Sequence, residues 1–331
     1  MPGARPKALA GARKAVPASG LALGAYLLLL FASSLTFLLT PTLSLAATYS
    51  LIVSGLGGEP EYEKRFREQG ATLAQAAQKL TGDGSKTIAL SGNDAKRDAI
   101  RRELRDLAEK TTKDDEVIIT LIGHGSFDGE DYRFNIPGPD ITAAELGTLF
   151  NHLAARTLIV NATSASGAVI ERWQSSNRLV VTATKSGGEI TATRFADHWV
   201  QALSSADADV NKDDIVTVTE AFDYTTRKVA ESFKADAVLA TEHARLEGAN
   251  AGGFQVARFG TAARVTLDPE LNEMFAQRVR IERDLDAVKE RKTSLDAAAY
   301  YDELEAVLVK LALLQQEIDA RQGAQGGKAH E

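Results

Sequence analysis

The sequence predicts an α/β fold: a mostly parallel β-sheet with helices on both faces, followed by a C-terminal α-helical hairpin. Short, almost wholly apolar runs alternate with segments of helical spacing, the pattern of strands buried on both faces and joined by crossover helices. The turns rich in glycine and serine follow the ends of those runs, where parallel sheets keep their sites. From Asp268 onward the composition changes to charged residues with apolar ones three and four apart, which predicts helices.

Residues 48–53 form the first strand, stopped by Gly55-Leu56-Gly57-Gly58. A helix fits 60–80, with Phe66, Leu73, Ala76, Ala77 and Leu80 on one face, and Gly82-Asp83-Gly84 closes it. Residues 87–90 make a second strand, 94–109 a helix through Ile100, Leu104 and Leu107, and 117–122 a third strand. A helix over 141–153 begins at a capping box of Thr142 and Glu145. Residues 157–160 and 179–183 are the fourth and fifth strands with a helix between them, and 255–259 is read as the last strand of the sheet. The predicted α/β domain spans 48–265 and the hairpin 266–322. Within the hairpin a break at Thr293-Ser294-Leu295-Asp296 offers two N-caps, and 323–331 is a polar tail expected to be disordered.

Residues 1–47 read as a signal peptide or a membrane anchor. Arg5, Lys7, Arg13 and Lys14 precede an apolar run of 19 residues from Leu21 to Leu39, and Ser44, Ala46 and Ala47 supply small residues for cleavage. The run is longer than the usual signal core and close to the roughly 20 residues that span a bilayer, so both readings stand. Either predicts an extracytoplasmic location, periplasmic or secreted, with membrane contact only through this segment. It holds four of the 38 basic groups and none of the 45 acidic ones, which leaves the remainder at a net charge of −11. Nucleic acid is therefore not an expected partner. Cysteine is absent, which excludes disulfides, thiolate metal sites and a cysteine nucleophile.

The third strand ends in Gly123-His124-Gly125 and the fourth in Asn161-Ala162-Thr163-Ser164-Ala165-Ser166-Gly167. Neighbouring strands would set an imidazole and a hydroxyl across one cleft, with glycine N–H groups free to approach a developing oxyanion. The plain alternative is a packed histidine and an ordinary serine turn. Gly55-Leu56-Gly57-Gly58 does not begin a dinucleotide fingerprint, since Pro60 stands where the third glycine belongs; it reads as a tight turn.

His-Gly after one apolar strand and a small-residue turn with Ser-Gly after the next resemble the caspase, legumain and gingipain clan of cysteine peptidases, nearest the legumain-like bacterial caspase-like proteins. Residues 51–60, 134–140 and 182–189 add to the likeness, which covers roughly 48–260. The resemblance implies a caspase-like fold with a peptide-binding cleft, His124 as general base or acid, and Ser164 at the position of the nucleophilic cysteine. It places the Gly125 N–H in the oxyanion hole. Specificity would be read by polar residues after the fifth strand, where Lys185, Glu189 and Arg194 lie. Because a hydroxyl, unlike a thiol, is not ionised near neutrality, His124 would have to take its proton during attack. The expected function is a pseudo-peptidase that binds a peptide or protein ligand. The alternatives are an active serine peptidase or esterase using Ser164 and His124 and, further off, a nucleotide-binding enzyme. Asp128 is the nearest acid that could orient the imidazole.

A second constellation runs from Asp209 to Glu220. Asp209, Asn211, Asp213, Ile215 through its carbonyl, Thr217 and Glu220 stand at the ligand spacing of an EF-hand loop, with Asp214 in place of the usual glycine, which suggests a structural Ca²⁺ ion. The competing reading is an acidic turn whose helix starts at a Thr217–Glu220 capping box. His243 is expected to pack near strand 255–259, and His152 and His198 fall in helical patterns; no histidine pair has zinc-ligand spacing. The hairpin's apolar faces predict packing on the α/β domain or an oligomer through these helices.

Overall fold

The structure, a computed structural model, describes residues 47–265 and 269–326. The signal or anchor reading lies outside the described residues, except for Ala47. Among the described residues no helix is long and apolar enough to cross a membrane.

The central sheet has six strands: β1 (Thr48–Ser54), β2 (Thr87–Leu90), β3 (Glu116–Gly123), β7 (Arg156–Thr163), β8 (Arg178–Thr182) and β10 (Arg245–Glu247). Their order is β10-β8-β7-β3-β1-β2, with five strands parallel and β10 antiparallel at the edge. All eight residues of β3 are buried. Alternation divides its side chains between two cores, since successive residues point to opposite faces. Ile118 and Ile122 join one core with helices α1 (Pro60–Thr81), α5 (Phe195–Ser204) and α6 (Val218–Ala235). Val117, Ile119 and Leu121 join the other with α2 (Arg97–Lys110) and α3 (Ala143–Phe150). The expected α/β class, with helices on both faces, is what the chain adopts.

Two features differ from the sequence expectation, and a third is a buried charge on which the sequence is silent. A small antiparallel sheet of β4 (Gly125–Phe127), β5 (Tyr132–Phe134) and β6 (Ile141–Thr142) follows β3; its strands are too short to show periodicity. β11 (Gln255–Arg258) is not the last strand of the main sheet. It pairs with β9 (Ile215–Thr217) in a separate two-stranded sheet, and the main edge goes to the three charged and apolar residues of β10. Arg178, at the start of β8, is also a surprise: only 4% exposed, it donates to the carbonyls of Phe150 (2.9 Å) and Trp173 (2.6 Å). Those carbonyls end α3 and α4 (Ile170–Trp173), so one guanidinium satisfies two negative helix ends.

The helical segment α7 (Gly260–Val265) precedes the hairpin of α8 (Pro269–Glu290) and α9 (Ala297–Gly326). Asp296 accepts the Ala299 N–H at 3.0 Å and starts α9 where an N-cap was expected. Leu271, Phe275, Leu314 and Ile318 pack on Ile215 and Ala262, which docks the hairpin on the α/β part. The opposite side of α9 leaves Tyr301, Leu308, Val309 and Leu313 exposed.

Candidate functional site

The loops after β1, β3, β7 and β8 lie at one end of the sheet and interlock. Gly123 closes β3 at φ +146°, a conformation that favours glycine, and delivers His124 onto α1. The imidazole sits edge-on against Tyr62 (ring centroids 4.8 Å apart) and Phe66 (5.1 Å). Burial holds its pKa below the usual histidine range, helped by the charge of Arg65 and opposed by the Gly57 backbone and Glu59. Burial therefore favours the neutral imidazole. The Gly55–Gly58 turn owes its composition to crowding: a side chain at Gly57 would meet the Glu63 backbone N at 2.3 Å, and the Gly57 N–H donates to the Glu63 carboxylate at 2.8 Å.

Ser164 is 3% exposed. Its Oγ donates to the Gly125 carbonyl (3.0 Å) and accepts the Gly125 N–H (3.2 Å). The fold therefore brings Ser164 and Gly125 together and sets His124 one residue away, on the aromatic pair of α1. Among the described residues no hydrogen bond joins the imidazole to the hydroxyl. The hydroxyl proton faces a carbonyl rather than a base, and the N–H proposed for an oxyanion is occupied by Oγ. Asp128 is engaged locally as well: it accepts from the Glu130 and Asp131 N–H groups and from Arg133 (2.7 Å), and these donors hold its carboxyl far below the usual range.

The serine turn is held from both sides. Ala165 adopts φ +56°, and its N–H donates to the Glu189 carbonyl at 2.8 Å. Gly167 N–H donates to Thr184 Oγ1 (2.8 Å), and the Thr184 N–H donates to Ser166 Oγ (3.1 Å). Under the turn, Tyr132 Oη lies 2.6 Å from Thr163 Oγ1, which donates to Asn161 Oδ1 at 2.8 Å. Burial pushes the Tyr132 phenol up to about 12. The Asn161 amide nitrogen is buried without a partner.

The polar residues after β8 are tied up with the segment before β10. Glu189 accepts the Lys185 and His243 N–H groups (2.9 and 3.1 Å) and faces His243 Nδ1 at 2.5 Å. His243 thus belongs to this loop and not to β11, because the edge position is filled by β10. Arg194 lies over the Phe233 ring, 4.2 Å from its centroid, and pairs with Asp236 at 2.6 Å. Lys185 is exposed. Exposed Leu56 and Ile190 flank the same end of the sheet. Sequence reasoning read Phe66 only as part of the apolar face of α1 and missed that it and Tyr62, four residues apart, pack against His124. It also missed Glu242, 4% exposed, whose carboxylate accepts the Arg194 N–H at the start of α5 (2.8 and 3.1 Å) and which no local signal marks.

In the acidic loop, Asp209 accepts the Asp213 and Asp214 N–H groups (3.2 and 3.0 Å), and Asn211 Oδ1 also accepts the former at 3.0 Å. Asp213 accepts the Ile215 N–H at 2.9 Å, and Asp214 takes φ +65° where the loop pattern calls for glycine. Thr217 and Glu220 form the capping box of α6, and Glu220 also accepts the Val210 N–H. Arg278 of α8 donates to Asp213 and Glu282, placing a cation against the loop. Among the described residues no three acidic or histidine side chains converge as a metal-holding group.

No protein-family model matches the chain, and no curated protein matches it by sequence. Among solved structures the chain is similar to protein GSU0716 from Geobacter sulfurreducens, at 11% identity and a TM-score of 0.43, over 64% of this chain and 97% of that one. It is also similar to caspase-1 from Spodoptera frugiperda, at 11% identity and a TM-score of 0.44, over 62% of this chain and 87% of that one.

Proposed function

We propose that this chain is an exported caspase-like protein whose cleft, at the carboxyl ends of β1, β3, β7 and β8, binds a peptide or protein segment without cutting it. A histidine after the third strand and a small-residue turn after the fourth, on adjacent parallel strands, support the family reading. The observation that carries the inactive reading is the pair of hydrogen bonds between Ser164 Oγ and the Gly125 backbone. Attack would require breaking both and bringing the hydroxyl to His124. Exposed Leu56 and Ile190 supply the apolar contacts that a bound segment would cover.

A fluorophosphonate probe tests the chemistry: wild-type protein is expected to remain unlabelled, and labelling that vanishes in Ser164→Ala would overturn the inactive reading. Selection from a displayed peptide library tests the binding. Binders weakened at least tenfold by Ile190→Asp or Leu56→Asp are expected, and a selection without such binders would sink the cleft as the contact surface.

Calcium on the 209–220 loop belongs to the same proposal, with Arg278 as the ion's competitor for Asp213. Millimolar Ca²⁺ is expected to raise the melting temperature of Arg278→Ala more than that of the wild type; no shift in either removes the ion.

A further inference from the structure

We propose that the outward face of α9, from Tyr301 to Leu313, is where two copies of this chain join, packed antiparallel about a two-fold axis beside Leu308. Whether the cleft binds or cuts has no bearing on this face. Tyr301, Val309 and Leu313 keep half or more of their surface in water, and Leu308 nearly half. Leu304 and Ala312 line the same shallow groove. The inner face is already committed, since Leu314 and Ile318 turn to Leu271, Phe275, Ile215 and Ala262. α9 is thus apolar on two sides, and only one of them is covered among the described residues.

Together the outward side chains expose roughly 400–500 Å² of apolar surface, as much as the largest patch on a typical monomer. Joining two copies through it, with the polar rim, buries about 1,000 Å², which is what a specific interface needs. A membrane fits the same face poorly. An interfacial helix carries Lys and Arg beside its apolar side, whereas exposed Asp302, Glu305 and Asp319 lie along this one and Lys310 is the sole basic residue from 301 to 320.

The order of residues suits a two-fold axis. Such an interface is self-complementary, residue i of one copy meeting residue j of the other and j meeting i. With the axis beside Leu308, that leucine meets its own copy, and Leu304 comes level with Ala312, a large side chain against a small one. The charges select the direction. Parallel copies would set Glu305 against Glu305 and Asp319 against Asp319. Antiparallel copies put Glu305 level with Leu311 and Asp319 level with Ala297, in the first turn of the other α9, where the helix dipole favours a negative charge.

Sedimentation velocity of the full chain reads the association. A dimer with a Kd of about 10 µM is expected, in keeping with an interface of this size. Leu308→Glu brings two carboxylates together at the axis and is expected to raise that Kd about a hundredfold. Its circular dichroism spectrum should stay unchanged, because the site is exposed and glutamate is a good helix former. Leu239→Glu, at an exposed leucine outside the hairpin, is expected to change nothing. The chain has no cysteine, so single introduced thiols report the arrangement. Leu308→Cys is expected to cross-link to its own copy with a reagent of about 10 Å reach, the spacing of packed helix axes. Asp302→Cys is not, since its two copies would stand about 18 Å apart along the helices. A wild type still monomeric at roughly twenty times that Kd overturns the proposal. So does an association that survives Leu308→Glu, which would assign it to the apolar run of 21–39, and so does loss of the dimer to vesicles of phosphatidylglycerol and phosphatidylcholine, which would give the face to a membrane. Failure of Leu308→Cys to cross-link, or cross-linking of Asp302→Cys, overturns the antiparallel arrangement.

Discussion

Replacing Gly167 by alanine tests how tightly the serine turn and the loop after β8 are joined. A β-carbon there would stand 2.2 Å from the Ser186 backbone N, 2.3 Å from the Lys185 carbonyl carbon and 2.6 Å from the Thr184 carbonyl oxygen. All three are backbone atoms, so no side chain can swing aside. Restoring van der Waals contact requires the loops to separate by about 1 Å, which stretches the Gly167–Thr184 and Thr184–Ser166 hydrogen bonds, now 2.8 and 3.1 Å, beyond useful length. The Ser166–Thr184 hydroxyl contact at 3.2 Å goes with them. Three neutral hydrogen bonds at about 1 kcal/mol each, less about 0.5 kcal/mol for the stiffer unfolded chain, leave a loss of about 2.5 kcal/mol. Urea unfolding followed by circular dichroism measures it, with a melting point about 5–10 °C lower as the thermal counterpart. Gly188→Ala is the control: its β-carbon would meet only Ser186 Oγ, at 3.6 Å, and no change is expected. If Gly167→Ala lies within 0.5 kcal/mol of the wild type at an unchanged m-value, the two loops do not interlock as described.

Arg178→Met keeps the length of the side chain but leaves the carbonyls ending α3 and α4 without their donor, and a loss of about 3 kcal/mol is expected in the same urea assay. An unchanged midpoint would mean that water replaces the guanidinium. His124, held below the ordinary histidine range by burial, is expected to titrate by NMR at a midpoint below 6.5, and Phe66→Ala to move that midpoint upward. Because the fold prefers the neutral ring, this residue lowers stability as pH falls through 6.5 to the folded value. Arg278→Ala leaves Asp213 and Glu282 without the guanidinium between them and is expected to cost about 3 kcal/mol in the urea assay. An unchanged midpoint would show that the apolar contacts of Leu271 and Phe275 alone dock the hairpin.

The strands and helices that were legible are those whose signal is local. The apolar run of β3, the helical spacing of α1, the Thr142 cap of α3 and the Asp296 cap of α9 each rest on residues within a turn or two of one another. Strands of two or three residues carry no period, and so β4, β5, β6 and β10 were invisible. The site was legible in part. His124, Gly125 and Ser164 do fall on neighbouring loops, but the partner that Ser164 takes is a backbone group of Gly125, to which sequence patterns are blind.

The sequence by itself determined the alternation of buried strands with amphipathic helices, the exclusion of thiol chemistry and the register of the Thr217–Glu220 cap, because each follows from composition or from neighbours along the chain. The tertiary structure alone decided that β10 and not β11 closes the sheet, that a serine hydroxyl is tied to a glycine 39 residues away, and that Glu242 is buried at a helix end. Those outcomes depend on which distant backbone donors and acceptors meet when the layers pack, and the free energy of each such meeting is set by burial that no local pattern encodes.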